Sequence, residues 1–311
     1  MRIAVVGLGA IAEKAYLPVI GARADVQLVL CTRDERRLRA LAAAYRVRDA
    51  VASVDDAVAL GVEAAFVHTA TESHVRVAGR LLEAGVHVYV DKPLAYRYAE
   101  CERLVEAAER HGRILMVGFN RRFAPMYRRV PCAGAGRVVV LQKNRTLLPD
   151  HARRFVYDDF IHVVDTLRFL GAGDAGGAGV SAFVREGRLH RVMVRLEGPE
   201  VTAVGLMNRD SGLTEETLEV MAPGNKWAVR GLDTLVHSAG GEERTHRFGD
   251  WETVLHRRGF PQIVDHFLGC VREARAPSPS ARDSLATHAL CERVVEEVEQ
   301  GGAEPWAPPA P

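Results

Sequence analysis

The feature that most constrains the fold of this chain is a glycine motif near its start. Residues 7–12 read Gly-Leu-Gly-Ala-Ile-Ala, directly after an apolar run at residues 3–6 and at the start of a helical pattern. In such a strand, turn and helix, Gly7 permits the tight turn, Gly9 lets a pyrophosphate approach the backbone, and Ala12 allows close helix packing. Free N–H groups at the helix start attract the anion. The motif predicts a dinucleotide-binding Rossmann fold, and the alternative is a glycine turn in an α/β protein that binds no nucleotide.

The pattern around this motif continues through residues 1–119. Short β-branched runs alternate with longer runs rich in alanine, leucine and charge, which is typical of βαβ units in a parallel sheet. The predicted strands are residues 3–6, 26–31, 64–68, 86–90 and 114–117, and helices are predicted at 34–45, 74–84 and 98–111. We therefore expect an α/β fold whose N-terminal domain, residues 1–119, is a doubly wound parallel sheet.

After Gly118 the pattern changes to mostly strand-like sequence as far as about residue 236. One helix is predicted within it at 159–170, where the apolar residues follow the 3.6-residue period and Gly171 supplies a stop. Strands are predicted at 138–141, 191–196 and 201–206, and closing helices at 262–274 and 284–300. These patterns predict a second, α+β domain at 120–300 with a last helix able to pack on the first domain, and a flexible proline-rich tail at 301–311.

Composition narrows the class of protein. The 311 residues carry 41 basic and 40 acidic side chains, so the basic excess typical of nucleic-acid-binding proteins is absent. No apolar run approaches the roughly 20 residues of a membrane-spanning helix, and the start lacks a secretory signal pattern. Five scattered cysteines without a CxxC pair favour a reducing compartment and argue against a zinc site. We expect a cytoplasmic protein with a small-molecule partner and no nucleic acid, membrane or metal.

The end of the second predicted strand bears on the choice of cofactor. NAD-binding domains place an acidic side chain there for the ribose 2′-hydroxyl, but this chain reads Cys31-Thr32-Arg33-Asp34. Arg33, with Thr32 beside it and Arg36 or Arg37 one turn on, suits a 2′-phosphate, which favours NADP(H) over NAD(H). The alternative is that Arg33 belongs to a solvated helix face, with Asp34 only capping the helix.

Two further motifs carry candidate chemistry. Lys92 follows the predicted strand at 86–90, at the sheet edge where such folds bind ligands, and a partly desolvated ammonium can donate or accept a proton. Asp158 and His162 are four residues apart, so on one helix they share a face, and a carboxylate-oriented histidine is a natural acid or base. The alternative for this pair is a capping aspartate and a structural histidine.

These three motifs together resemble the Gfo/Idh/MocA oxidoreductase family over nearly the whole chain. Within that family the chain resembles the MviM-type oxidoreductases, through residues 66–69, 90–95, 116–125 and 158–166. The resemblance implies a homodimer or homotetramer built through a large, open, mainly antiparallel sheet of the second domain. It also implies a cleft between the domains for NAD(P) and substrate.

Site residues carry over from the resemblance one by one. Lys92 matches the catalytic lysine, Asp158 the substrate-site aspartate and His162 the histidine acid/base. The residues implied in cofactor binding are Gly7, Gly9, Ala10, Ile11, His68, Thr69, Ala70, His74, Asp91 and Lys92, in addition to Thr32 and Arg33. The residues expected at the substrate are Asn120, Arg122, Lys143 and Tyr157.

Three departures from the family pattern separate this chain from a simple sugar dehydrogenase. Asp91 replaces the commoner glutamate before the lysine, residues 155–157 replace a usual glycine pair, and Phe160 stands where glycine is common. The last two reshape the expected pocket, so sugar specificity does not follow from the resemblance.

Basic residues from three segments are expected to converge on the substrate side: Arg121, Arg122, Lys143, Arg145, Arg153 and Arg154. They favour an anionic substrate, because arginines bind carboxylate and phosphate groups well. The alternative is that they are surface charges or interface salt bridges.

The sequence as a whole predicts an NAD(P)-dependent dehydrogenase or reductase. It would move hydride between the nicotinamide and a carbonyl or alcohol carbon of a small polar, sugar-like and anionic substrate. Two alternatives remain open: a nucleotide-bound sensor that turns nothing over, and a redox-assisted lyase or glycosidase without net cofactor turnover.

Overall fold

The computed structural model of the chain describes residues 1–172 and 178–301, and most of the predicted tail lies outside the described residues. The chain divides into two compact units. The first contains Met1–Gly118 and Phe260–Leu285, and the second contains Phe119–Gly259 and the residues from Ala286 onward. The boundary expected after residue 119 lies one residue from the observed division. Residues 260–285, which the sequence pattern assigned to the second domain, belong to the first unit.

The first unit is a doubly wound parallel sheet, as predicted. Its strands are β1 Arg2–Val6, β2 Gln27–Cys31, β3 Asp49–Val51, β4 Ala64–Val67, β5 His87–Val90 and β6 Leu115–Val117. They lie in the order β3-β2-β1-β4-β5-β6, and all pairs are parallel. The helical segments between them are a π turn at Ala12–Tyr16, α1 Leu17–Ile20, α2 Glu35–Tyr45, α3 Val54–Ala59, α4 Thr71–Glu83 and α5 Tyr98–Arg110. The short elements β3 and α3 are the ones that the sequence pattern missed.

An aromatic cluster explains why the helix Phe260–Arg272 belongs to this unit. Phe66 of β4 and Tyr89 of β5 pack with ring centroids 5.0 Å apart, and Phe267 lies edge-on to Phe66 at 5.1 Å. Phe260 meets Tyr16 at 5.3 Å in the same manner. Buried aromatic pairs with these separations stabilise a core beyond the area that they bury. The helix therefore completes the core of the first sheet.

The second unit contains a large, mainly antiparallel sheet of eight strands, which confirms the predicted α+β domain. Its strands are β7 Arg137–Asn144, β8 Gly179–Arg185, β9 Arg188–Gly198, β10 Val201–Asn208, β11 Glu215–Ala222, β12 Asn225–Arg230, β13 Thr234–Ala239 and β14 Glu242–Arg247. They lie in the order β14-β13-β12-β11-β7-β10-β9-β8, and the pair of β7 with β10 is the parallel one. The strand-rich region thus extends beyond the predicted end near residue 236.

The helix predicted at 159–170 is a composite of four pieces. They are α6 Ala152–Phe155, a π turn at Val156–Phe160, α7 Ile161–Leu167 and a second π turn at Arg168–Ala172. Gly171 has a φ of 97°, a left-handed conformation that suits glycine and ends the helix, as predicted. The remaining helices are α8 Val254–Arg257, α9 Phe260–Arg272 and α10 Ala281–Gln300.

The two faces of the large sheet differ in what covers them. α7 packs so closely on β10 that a Cβ at Gly205 would lie 2.5 Å from Val163 Cγ1. On the opposite face, apolar side chains remain in solvent: Val138 is 38% exposed, Phe183 39% and Met193 42%. Among residues 1–172 and 178–301, no helix is both long and apolar enough to cross a membrane.

Candidate functional site

The two glycines of the loop after β1 are required for different reasons. Gly7 has a φ of +86°, and a Cβ there would lie 2.5 Å from the backbone nitrogen of Thr69, so only glycine fits. Gly9 has no such constraint, because a Cβ at this position would meet a single atom, the His68 carbonyl oxygen, at 3.9 Å. Within the described chain, nothing packs against Gly9. A glycine at this position is explained if a ligand approaches the backbone closely.

A cleft of about 1040 Å³ opens at this loop, along the carboxyl ends of β1, β2 and β4. Predicted cofactor residues that line it are Gly7, Gly9, Thr32, Arg33, His68, Thr69 and Ala70. Ala10 and Ile11 are exposed beside it at the start of the first helical turn. The buried hydroxyl of Thr69 has no hydrogen-bond partner in the described part of the chain. The size of the cleft, the open side of Gly9 and this unpaired hydroxyl fit a dinucleotide.

The end of β2 separates the roles of Arg33 and Asp34. Asp34 caps α2, since its carboxylate accepts a hydrogen bond of 2.9 Å from the backbone N–H of Arg37. The Arg37 guanidinium pairs with Glu13. Arg33 is exposed and forms no ion pair with any carboxylate of the described residues. Asp34 is thus engaged by the helix, whereas Arg33 remains available to the cleft.

Beside the cleft, Asp91 binds the backbone of Lys92 and lies near the buried His68. His68 follows β4 and Asp91 follows β5, and the His68 Nδ1 atom lies 3.8 Å from Asp91 Oδ2. Asp91 also accepts the backbone N–H of Lys92 at 2.9 Å. Burial would raise the pKa of Asp91, but the His68 and Lys92 charges outweigh burial, and the pKa is lowered. An ionised carboxylate therefore lies next to Lys92.

The structure places two predicted cofactor contacts behind the cleft wall. The His68 side chain is fully buried, with its ring centroid 3.9 Å from that of Tyr16, so its backbone rather than its imidazole faces the cleft. His74 is buried in α4, and its ring nitrogens lie 2.9 Å from the Pro93 carbonyl oxygen and 3.0 Å from that of Thr69. His74 thus links the loop after β4 to the Lys92-Pro93 segment, since its two ring nitrogens contact a backbone carbonyl in each.

His74 predicts a pH dependence of stability. Burial lowers its pKa below the ordinary value, so the unfolded chain takes up a proton that the folded state excludes. The contribution of neutral His74 to the free energy of unfolding is complete above pH ~6.5, the pKa of an unfolded histidine. It declines as the pH falls toward the lower pKa of His74 in the folded state. We expect His74→Gln to flatten the decline in the free energy of unfolding between pH 6.5 and 5, measured by urea titration. His111→Gln, at an exposed histidine, is the control, and equal slopes in wild type and His74→Gln would contradict the assignment.

In the second unit, His162 is buried in α7, with Nε2 3.3 Å from Nη1 of Arg121. Because a guanidinium only donates hydrogen bonds, Nε2 is the acceptor and the ring proton is on Nδ1. Asp158 lies in the π turn before α7, with Oδ2 3.4 Å from Arg154 Nε. Asp158 and His162 thus lie on consecutive segments of one composite helix, and their pairing stays a prediction.

Arg121 is itself held by a buried carboxylate that the sequence did not single out. Its Nε and Nη2 atoms lie 3.3 and 3.0 Å from the two oxygens of Glu216, and Nη1 donates to Asn120 Oδ1 at 3.2 Å. The Tyr127 hydroxyl donates to Glu216 at 3.0 Å. Burial raises the pKa of Glu216, but Arg121 outweighs it and lowers the pKa to about 2. The Asn120 amide also donates to the Arg258 carbonyl at 2.8 Å, so this predicted substrate residue positions two arginines.

Asp159, in the middle of the π turn, is the second carboxylate that the sequence did not single out. Lys143 of β7 bonds to it, and Arg145 makes a bidentate pair at 2.7 and 3.0 Å. Burial opposes its ionisation, but Arg145 and Lys143 lower the pKa of Asp159 well below its usual range. Burial and the Arg121 charge lower the pKa of Lys143 to about 7. Lys143 therefore belongs to a charged cluster but is itself sequestered, and its place at the substrate stays a prediction.

Two other predicted substrate residues are turned into the protein. Arg122 is buried and pairs bidentately with Asp165 of α7, with a shortest distance of 2.7 Å. The Tyr157 hydroxyl donates to Glu292 of α10 at 2.5 Å, and Arg153 pairs with the same carboxylate. Buried polar groups of this kind need such partners, so both side chains are committed within the second unit. Of the predicted basic set, Arg121, Lys143 and Arg145 come together.

Comparison with known proteins identifies the family. The sequence model of the oxidoreductase family with an NAD-binding Rossmann fold matches residues 1–119, and the model of the YceM-like C-terminal domain matches residues 125–239. YceM of Salmonella typhimurium, an oxidoreductase by name, is 34% identical over 95% of this chain and 96% of its own length. The chain belongs to the Gfo/Idh/MocA oxidoreductase family. Its predicted resemblance to that family is confirmed.

Other Gfo/Idh/MocA proteins match over almost the full chain. A crystal structure of a family member from Vibrio cholerae has a TM-score of 0.92 at 34% identity and covers 97% of this chain and 99% of its own. The dehydrogenase MviM from Clostridium difficile has a TM-score of 0.90 at 29% identity and covers 96% and 99%. Inositol 2-dehydrogenase 3 of Saccharopolyspora erythraea is 26% identical over 99% of this chain and 96% of its own length. The relatives thus include a dehydrogenase of a sugar-related polyol.

Proposed function

We propose that this protein is an NAD(P)-dependent dehydrogenase or reductase of a small, polar, sugar-like substrate. The observation that carries the proposal is the open side of Gly9 in the cleft at the carboxyl ends of β1, β2 and β4. Helix starts beside such a loop bind pyrophosphate, and the family is a family of NAD-binding oxidoreductases. The inositol dehydrogenase among the relatives supports a polyol or sugar as the substrate class.

Different residues would bind the cofactor and transfer the proton. Gly7, Gly9, Ala10 and Ile11 hold the pyrophosphate, and Thr69 and Ala70 contact the cofactor after β4. The bound nicotinamide supplies the hydride acceptor or donor. Lys92 moves the proton at the substrate oxygen, next to the ionised Asp91. His162 is the second candidate for that proton, with Asp158 near it at the substrate.

The proposed cofactor is NADP(H) in preference to NAD(H). Arg33 has no carboxylate partner in the described chain, and Asp34 is engaged as a helix cap, so the end of β2 favours a 2′-phosphate over a free 2′-hydroxyl. A cofactor present at 100 times its Kd should stabilise the protein by about 2.7 kcal/mol. We expect NADP⁺ to give the larger shift in Tm, and Arg33→Ala to weaken NADP⁺ binding about tenfold, since a charge-assisted contact contributes about 1.5–3 kcal/mol, with little effect on NAD⁺.

Arg39→Ala, at an exposed arginine of the same helix that pairs with Glu35, is the matched control and should leave both affinities unchanged. Tighter binding of NAD⁺ than of NADP⁺ by the wild type would overturn the preference. No shift in Tm with either cofactor at millimolar concentration would overturn the proposed function.

We also propose that the protein is a homodimer or homotetramer assembled through the open face of the large sheet. Val138, Phe183 and Met193 expose apolar surface on that face, and such patches commonly mark interfaces. Light scattering after size-exclusion chromatography should give twice or four times the monomer mass, and Met193→Glu should reduce it. A monomeric wild type at micromolar concentration would contradict the assembly.

A further inference from the structure

A cluster of four basic side chains in the second unit has too few carboxylates to balance it. The cationic cluster consists of Arg121, Lys143 and Arg145, which pair with Asp159 and Glu216, and of Arg258, whose backbone carbonyl is bound by the same Asn120 side chain as Arg121. Glu216 is used by Arg121, and Asp159 is shared between Lys143 and Arg145. Arg209 adds a further guanidinium, which lies between two carboxylates, 3.9 Å from Asp159 and 3.9 Å from Asp150. Because the pKa of Lys143 is about 7, this lysine is only partly protonated at neutral pH, but the three guanidinium groups of the cluster still outnumber its two carboxylates.

The members of the cationic cluster differ in how many hydrogen-bond donors they have left. Arg121 is 12% exposed, and all three of its nitrogens are engaged by Glu216, Asn120 and His162. Lys143 is buried against Asp159. The Arg145 side chain is 34% exposed and uses one edge of its guanidinium on Asp159. Donors that could meet a ligand are therefore concentrated on Arg145 and on Arg258.

Arg258 is the clearest sign that a charge is missing. It is exposed, has no carboxylate partner among the described residues, and its backbone carbonyl is held by Asn120, which also holds Arg121. Burial of the inner half of the Arg258 side chain lowers its pKa, and the charges of Arg121 and Arg145 lower it further. The Glu216 charge opposes this shift only in part, so repulsion among the three guanidinium groups remains. Like charges are kept together at a cost unless an anion offsets the repulsion.

We propose that Arg145 and Arg258 bind an anionic group of the substrate, a carboxylate or a phosphate. The proposal rests on the proposed function, because it places the substrate of the dehydrogenase in the second unit. Guanidinium groups bind the oxygens of both anions with paired hydrogen bonds. Arg121 connects the site to His162 at 3.3 Å, which brings the anion site next to a candidate acid/base. The substrate class is then a sugar acid, a sugar phosphate or a related hydroxy acid rather than a neutral polyol.

The test is a calorimetric titration of the full-length protein with inorganic phosphate and, separately, with acetate, at constant ionic strength and with NADP⁺ present to occupy the glycine loop. We expect saturable binding of at least one anion. Arg258→Gln should weaken it at least tenfold, because a hydrogen bond to a charged group is worth about 1.5–3 kcal/mol. Arg145→Gln should do the same, and Arg258→Lys should retain part of the affinity. Stronger binding of phosphate than of acetate assigns a phosphate, and the reverse order assigns a carboxylate.

Arg154→Gln is the matched control, because Arg154 is a half-exposed arginine balanced by Asp150 and Asp158. Arg258 is exposed and forms no ion pair with the described residues, so Arg258→Gln should fold even where Arg145→Gln, which removes a partner of Asp159, does not. Absence of saturable binding, or an unchanged Kd in Arg258→Gln, would overturn the proposal. Failure of NADP⁺ to bind would overturn the proposed function instead, and the anion titrations of wild type and variants would still give their own answer.

Discussion

Alanine in place of Lys92 is expected to lower kcat by about 10²–10⁴-fold, the usual contribution of a positioned proton-transfer group. Lys92 lies two residues after the end of β5, and its backbone N–H donates to the Asp91 carboxylate at 2.9 Å. The His68 Nδ1 atom lies 3.8 Å from the same carboxylate. The backbone carbonyl of Pro93, the next residue, lies 2.9 Å from the His74 Nδ1 atom. The Lys92 ammonium is thus carried by a segment whose backbone is fixed by several contacts. A group that transfers a proton to a substrate oxygen must be positioned in this way. The Kd of NADP(H) should change far less than kcat.

The measurement is steady-state kinetics with a substrate found by screening sugars, sugar acids and keto acids against the protein loaded with cofactor. Lys14→Ala, at an exposed lysine of the first unit, is the control. His162→Ala should also lower kcat, but by less than Lys92→Ala, because Nε2 of His162 already accepts a hydrogen bond from the positively charged Arg121. Full activity of Lys92→Ala would refute its role in the reaction.

Replacing the two glycines of the loop is expected to separate binding from folding. Gly9→Val should abolish cofactor binding, because the side chain would fill the space that the pyrophosphate needs, while its Cβ meets only one atom of the protein at 3.9 Å. Gly7→Ala should destabilise the fold by more than about 1 kcal/mol, since the left-handed backbone alone costs about 1–2 kcal/mol for an L-residue. The Cβ would also collide with the Thr69 backbone.

Thermal unfolding with and without NADP⁺ measures both effects. Gly9→Val should keep the Tm of the free wild type and lose the cofactor-induced increase, whereas Gly7→Ala should lower Tm without ligand. Gly112→Ala provides the comparison, because Gly112 also has a positive φ but has open space around its Cβ position. Retention of the NADP⁺-induced shift in Gly9→Val would contradict the proposed pyrophosphate site.

The first unit was predictable because its signals are local. The glycine motif, the apolar strands and the caps occur within short stretches of sequence, and parallel βαβ units order themselves by simple connection rules. The identity of Asp34 as a cap or a ribose ligand was left open by the sequence, and the hydrogen bond from Arg37 resolves its structural role. The domain to which α9 belongs was predicted wrongly, because the pattern of an amphipathic helix does not reveal which of two cores its apolar face will join.

The charged groups of the second unit were less predictable because their partners are distant in sequence. Glu216 lies opposite Lys143 only through the antiparallel register of β11 on β7, and a shift of one residue would turn it to the other face. Arg122 and Tyr157 looked like pocket residues from their neighbours in sequence. Their partners, Asp165 and Glu292, become visible only when the helices are packed.

The discontinuous first unit has a consequence for how the chain matures during synthesis. Its sheet strands all lie before Gly118, but Phe260 and Phe267, which cover Tyr16 and Phe66, are translated more than a hundred residues later. A domain made of one continuous stretch can fold as it leaves the ribosome, but this sheet keeps an aromatic face uncovered until the helix Phe260–Arg272 has been synthesised. The nascent chain therefore passes through an interval in which this aromatic surface is exposed, and a chain truncated after the Rossmann strands would leave Tyr16 and Phe66 without the rings that cover them.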